Sequence, residues 1–178
     1  MNMSIPIQKR IPVIQGDCFV TDDPNVLYTT VLGSCIAVCM FDLRAKVGGM
    51  NHFLLPGLTG PISDDMRYGV NSMELLINGV LKLGADRSNL QCKIFGGSEM
   101  RKTFNNIGVN NQKFTKDFLA AEGFPCVAEN LGGTLARKLQ FLPCEGRVRH
   151  MLIPASESPG EDMATKGVAG NKSSIELF

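Results

Sequence analysis

An α/β layered sandwich with a mixed, mainly antiparallel sheet and two principal helices is the fold class this sequence predicts. Three observations carry that reading. Short apolar runs bounded by turn residues outnumber helical patterns by about six or seven to two. Several of these runs are neighbours joined by short polar turns, which is how hairpins are written and which makes their pairing antiparallel. Strands and helices do not alternate regularly, so a doubly wound parallel sheet is not expected. At 178 residues the chain can bury the core of one domain.

Taken in order, VLYTTVL (26–32) is rich in β-branched residues and ends at Gly33. CIAVCMFD (35–42) is almost continuously apolar, as for a strand covered on both faces. A short turn containing LRA follows, and KVGGMNHFLLP (46–56) returns as its partner. Val70, Met73, Leu76, Ile77, Val80 and Leu81 then recur with helical period, and Gly84 is placed to cap that helix. NLQCKIFGG (89–97) reads as a strand entering a glycine turn. NIGVNNQKFTKDFLAAEG (106–123) predicts a second helix, with Phe114, Phe118 and Ala121 on one stripe and Gly123 ending it. PCVAENLGG gives a short strand, and ARKLQFLPCEGRVRHMLIP (136–154) a hairpin turning near Glu145 and Gly146. Beyond Pro154 the composition shifts to Ser, Gly, Pro and charge. A single domain over 1–154 and a flexible tail over 155–178 are expected.

Composition excludes several function classes. Lys+Arg 18 against Asp+Glu 17 leaves a net charge of +1, so no field favours nucleic acid or an anionic membrane. No apolar run approaches the ~18 residues of a membrane span. The opening MNMSIPIQKRIPVIQGD lacks the apolar segment of an export signal, so a cytoplasmic location and reduced thiols are expected. Cys18, Cys35, Cys39, Cys92, Cys126 and Cys144 contain no CxxC pair and read as free. The Gly pairs at 48–49, 96–97 and 132–133 belong to no phosphate-binding motif.

The first hairpin brings a thiol towards an imidazole. If directly opposed residues keep a constant sum, pairing Cys35 with His52 puts the turn between Leu43 and Arg44, where the apolar run breaks. In that register Phe41 opposes Lys46, Cys39 opposes Gly48 and Ala37 opposes Met50. Opposed residues on one face have Cβ atoms about 4.5–5.5 Å apart, within reach of proton exchange. An imidazole that takes the thiol proton creates a nucleophile. Gly33 and Ser34 before the cysteine allow backbone N–H groups to approach a reacting carbonyl oxygen. Two other readings of the same residues stand beside this one. The pair can be a core cysteine and a structural histidine. Alternatively Cys35, Cys39 and His52 can be three metal ligands, although no fourth appears at a familiar spacing. For Cys39 and His150 taken alone, a structural role is the first reading.

These residues also carry a resemblance. LGSCIAVCMFD followed by KVGGMNHFLLP closely resembles the signature of CheD, the chemoreceptor glutamine deamidase family of bacterial and archaeal chemotaxis. The likeness continues through Asn71-Ser72, KIFGGSEM, NIGVNN and AENLGGTLARKL, over roughly residues 15–153. It implies a papain-like Cys–His site on a fold that is not papain's, needing no cofactor and no metal. Cys35 matches the family's nucleophile and His52 its general base. By spacing, Thr29 holds the place of the third member, a threonine six residues before the cysteine, and its neighbour Thr30 carries a hydroxyl too. The implied reaction is hydrolysis of glutamine side chains on methyl-accepting chemotaxis receptors through a cysteine thioester, tuning signalling and adaptation. A CheC-type phosphatase is an implied second partner. Val109 and Asn110 depart from the Glu and Arg common in relatives, and the tail is longer than in compact members. A receptor-docking module without activity, and a redox sensor using Cys35 and Cys39, are the competing classes.

Overall fold

Residues 9–56, 64–100, 106–154 and 175–178 are described by the computed structural model, and among them two five-stranded sheets and two long helices form three layers. The strands are β1 (Lys9–Pro12), β2 (Cys18–Thr21), β3 (Val26–Leu32), β4 (Ile36–Asp42), β5 (Val47–Phe53), β6 (Gln91–Gly96), β7 (Cys126–Leu131), β8 (Ala136–Leu142), β9 (Arg147–Ile153) and β10 (Ile175–Leu177). The helices are α1 (Asp64–Lys82) and α2 (Ile107–Glu122). One sheet has the order β1-β3-β8-β9-β10 and the other β2-β5-β4-β6-β7. The pairings β1 with β3 and β6 with β7 are parallel, and all others are antiparallel. The expected α/β layering and mainly antiparallel, mixed pairing are thus present, divided between two sheets instead of one.

That division explains the composition of β4, every residue of which is buried. Its Ile36, Val38 and Met40 pack under the helices with Met73, Leu76 and Val80. Its Ala37, Cys39 and Phe41 face the other sheet, packing with Tyr28, Leu139 and Phe141. Each large side chain enclosed this way contributes about 1.5–3 kcal/mol. The two helices cover one face of the second sheet, and the first sheet covers the other.

Helix α1 closes as its glycine predicts. Gly84 has φ 102°, its N–H donates to the Leu81 carbonyl at 3.0 Å, and the Ala85 N–H donates to Val80 at 3.1 Å. Helix α2 closes the same way, with Phe124 N–H on the Leu119 carbonyl at 2.9 Å. Its buried stripe holds Phe114, Thr115 and Leu119, while Ala121 is exposed and not part of it.

The β4–β5 register differs from the expected one by two residues. Ala37, not Cys35, opposes His52, and Cys39 opposes Met50. The turn is a four-residue loop, Leu43–Lys46, in which the Asp42 carboxylate accepts from the N–H groups of Arg44 at 2.8 Å and Ala45 at 3.1 Å. A shift of two preserves the face of every side chain, so the inward set is unchanged.

At the other end of the chain, Ile175–Leu177 pair antiparallel with β9 where a flexible tail was expected. Phe178 continues this pairing through its N–H and carbonyl to Val148, and its ring stacks on His150 at 5.0 Å between centroids. The remainder of that expected tail, 155–174, lies outside the described residues. His150 is buried against Phe95 and Phe178, a structural position. Among the described residues no helix is long and apolar enough to cross a membrane.

Candidate active site

Strand alternation decides which side chains meet between the sheets. On β3, Val26, Tyr28, Thr30 and Leu32 point inward, and on β5 Met50 and His52 do. Cys35 sits in a bend just before β4, on the same inward parity as Ala37. As a diagonal neighbour of His52 it closes the remaining gap through that bend: His52 Nε2 lies 2.9 Å from Cys35 Sγ. Both residues are buried, Cys35 at 8% exposure and His52 at 5%.

The other ring nitrogen determines the tautomer. His52 Nδ1 lies 3.0 Å from Thr30 Oγ1 and 3.1 Å from the Val13 carbonyl oxygen. A carbonyl only accepts, so Nδ1 carries the proton and donates to it. The Thr30 hydroxyl donates its own proton to the same carbonyl at 2.6 Å, leaving a lone pair for Nδ1–H. Nε2 is therefore the unprotonated nitrogen of the neutral ring, aimed at the thiol.

The turn Ile14–Asp17 brings the Val13 carbonyl into place. Gly16 N–H donates to the His52 carbonyl at 2.8 Å, and His52 N–H donates to the Asp17 carbonyl at 3.0 Å. Val13 N–H is held by the Thr29 carbonyl at 2.8 Å. Thr29, expected beside the imidazole, contributes only that backbone atom. Its side chain points to the outer face of β3, half-buried, and the hydroxyl on His52 belongs to Thr30. The reason is the two-residue side-chain period of a strand whose inner face is set by Tyr28 and Leu32.

Burial pushes the Cys35 thiol above its ordinary value, and the N–H groups of Gly33 and Cys35 pull it partly back. Burial likewise pushes His52 down, opposed by the Val13 carbonyl and the Asp17 carboxylate. Both burial effects favour a neutral thiol hydrogen-bonded to a neutral imidazole over an ion pair.

The bend itself is held from β6. Gly97 N–H donates to the Cys35 carbonyl at 2.8 Å, and Ser98 N–H to the Gly33 carbonyl at 2.9 Å. Gly96, at φ 115°, is the residue that lets this crossing come so close, since a Cβ there would collide with the Cys35 carbonyl. At Gly33 a Cβ would press on Met100 Sδ, 2.9 Å away, and Ser34 is half-buried between Gly33 and Cys35. On the far side of the site, Asn111 fixes the segment after β5. Its Oδ1 accepts from Leu55 N–H at 2.9 Å while its Nδ2 donates to the Leu55 carbonyl at 3.0 Å.

Cys39 is completely buried and lies four residues along from Cys35, about 13 Å on an extended strand. That separation is too great for a disulfide, whose Cα atoms stand about 4.4–6.8 Å apart, and equally for a shared metal ion. All six cysteines are free thiols. Among the described residues no cluster of three or more His, Cys, Asp or Glu has metal-binding geometry.

Three comparisons with known proteins bear on this site. The model of the family described as CheD chemotactic sensory transduction matches residues 54–151, just over half of the chain and C-terminal to the Cys35–His52 pair. The "Probable chemoreceptor glutamine deamidase CheD 1" of Ruegeria sp. (strain TM1040) is 47% identical over 152 residues, 85% of this chain and 81% of that one. The "Probable chemoreceptor glutamine deamidase CheD" of Agrobacterium fabrum is 47% identical over 176 residues, 96% of this chain and 97% of that one. Its namesake in Rhizobium leguminosarum bv. trifolii is 50% identical over 153 residues, 84% and 83% of the two chains. Among solved structures, a hypothetical protein YfiH of Bacillus licheniformis overlays at a TM-score of 0.46 with 13% identity. That overlay covers 66% of this chain and 51% of that one, a likeness too partial to carry an assignment. With a family model over more than half its length and relatives near half identity along most of theirs, the chain belongs to the CheD family.

Proposed function

We propose that this protein hydrolyses glutamine side chains of chemoreceptors to glutamate and ammonia, with Cys35 as nucleophile and His52 as general base. The observation that carries the reading is the 2.9 Å approach of His52 Nε2 to Cys35 Sγ in a ring whose proton is held at Nδ1 by acceptors. Family membership supports the substrate class, since the relatives are named as chemoreceptor glutamine deamidases.

In the proposed reaction Nε2 takes the thiol proton as Sγ attacks the carboxamide carbon. The positive charge then on the ring is met at Nδ1–H by the Val13 carbonyl and Thr30 Oγ1. Neither acceptor is ionised, so this support is weaker than a triad aspartate's, and orientation is its larger contribution. Backbone N–H groups of the Gly33–Cys35 bend, Ser34's included, receive the oxyanion. Nε2–H protonates the departing nitrogen, ammonia leaves and a thioester remains. Water enters, gives its proton to Nε2 and attacks the thioester carbon, and the collapse releases glutamate and the thiol. Water is the second substrate, and no cofactor takes part. Each conversion places a new negative charge on a receptor helix. Neighbouring helical charges interact by about 0.2–0.5 kcal/mol per pair, so several conversions bias the receptor's signalling equilibrium.

The test incubates the protein with a receptor cytoplasmic fragment and follows the fragment's mass. A gain of about one dalton per converted glutamine, absent with Cys35→Ala and with His52→Ala, is expected. Tight binding without mass change rejects the enzyme in favour of a docking module. The same fragment, with a CheC-type phosphatase added as competitor, reports whether that second partner occupies the same face.

A further inference from the structure

Arg137, near the start of β8, is 3% exposed and carries its charge into the interior, with no carboxylate among the described residues paired to it. Its Nε donates to Asn130 Oδ1 at 2.6 Å, Nη1 to Ser98 Oγ at 2.5 Å and Nη2 to the Gly132 carbonyl at 2.6 Å. All three acceptors are neutral. Burying a guanidinium this way is unfavourable, and burial pushes its pKa down with nothing opposing. A planar fork reaching three separate segments at once is what the arrangement obtains in return, and a lysine cannot reproduce it.

Those segments converge on the nucleophile. Ser98, fully buried, accepts from Arg137 and passes its own hydroxyl proton to the Leu135 carbonyl at 2.7 Å. Its backbone N–H holds the Gly33 carbonyl, and the preceding Gly97 N–H holds that of Cys35. Gly132, whose carbonyl Arg137 also grips, donates its N–H to the Gly96 carbonyl at 2.9 Å. The strap 96–98 is thus pinned on one side to the cysteine bend and on the other to Arg137 and its loop. We propose that Arg137 is a positioning residue for the reaction, fixing through Ser98 the backbone of Gly33–Cys35 and hence the aim of the N–H groups that face Sγ and the oxyanion. This rests on the reading of Cys35 as nucleophile.

The experiment uses the full chain with Arg137→Lys and, separately, Ser98→Ala, which removes a single hydroxyl. Three quantities are measured: kcat and KM on the receptor fragment, melting temperature, and the pH dependence of Cys35 alkylation by iodoacetamide, read on the Cys35 peptide by mass spectrometry. The expected result is a kcat lower by about 10- to 100-fold with KM within about twofold, together with an alkylation midpoint moved to higher pH. A kcat per folded molecule and an alkylation midpoint both unchanged, with only the melting temperature lowered, overturn the proposal by making Arg137 a purely structural residue. If Arg137→Lys does not fold, Ser98→Ala decides between the same two results. Alkylation needs no receptor, so a wild-type protein inactive on the fragment defeats the functional reading while the alkylation midpoints still judge Arg137.

Discussion

Thr29 and Thr30 are adjacent, chemically identical and on opposite faces of β3, so replacing each with valine separates a site role from a strand role with almost no change of volume. His52 Nδ1–H has two acceptors at similar distance, Thr30 Oγ1 at 3.0 Å and the Val13 carbonyl at 3.1 Å. Thr30→Val removes the first and leaves the second. Hydrogen bonds to charged groups contribute about 1.5–3 kcal/mol and neutral ones about 0.5–1.5. The ring becomes charged only during reaction, and the Val13 carbonyl takes up part of the lost interaction. A loss near 1–2 kcal/mol of transition-state support follows, a fall of about 5- to 30-fold in kcat. Thr29→Val alters a half-buried hydroxyl on the outer face, where effects stay within about 0.5 kcal/mol, or little more than twofold. The assay is steady-state ammonia release from a receptor fragment, with Thr30→Ser as the variant that keeps the oxygen and most of the rate. A Thr29→Val variant as impaired as Thr30→Val, or more so, refutes the alternation reasoning and restores Thr29 as the partner of the imidazole.

Three further outcomes follow from the geometry. With burial holding His52 below its ordinary pKa of 6.5, kcat/KM rises on the acid side with a midpoint below that value, as the ring loses its proton and becomes able to accept one. Asp17→Asn removes the carboxylate that opposes this shift and moves the acid limb lower still; a pH–rate profile with Asp17→Asn displaced to higher pH contradicts it. Asn111→Ala strips partners from the buried N–H and carbonyl of Leu55 together, a loss of about 2–4 kcal/mol of stability in urea titration, with unchanged stability as the contrary result.

What the sequence made legible was whatever local chemistry determines. The helices announced themselves by period and by Gly84 and Gly123, and the Cys35–His52 pairing by two short blocks joined through a hairpin. The pair's face survived an error in register because the error was an even number of residues. Thr30 was within reach too, since Tyr28 and Leu32 mark the inner parity of β3. Counting six residues back from the cysteine ignores the bend at 33–35. The second sheet was hidden because β1 and β2 are four residues each and carry no alternating pattern, their pairing being settled by distant strands. The Arg137 network was likewise invisible, because it joins residues 98, 130, 132 and 137 through contacts no spacing foretells.

The carbonyl of Val13 has an evolutionary corollary. An orienting group supplied by the main chain has no genetic handle: every amino acid at position 13 presents the same oxygen, so alanine scanning and comparison of relatives pass over it. It is lost by moving the chain, whether through a change of length in the turn 14–17 or through replacement of Gly16, whose φ of 96° disfavours any side chain, or of Asp17, whose carboxylate accepts from Ile14 N–H. The shape of that turn, its length together with Gly16 and Asp17, is what selection on this site must guard.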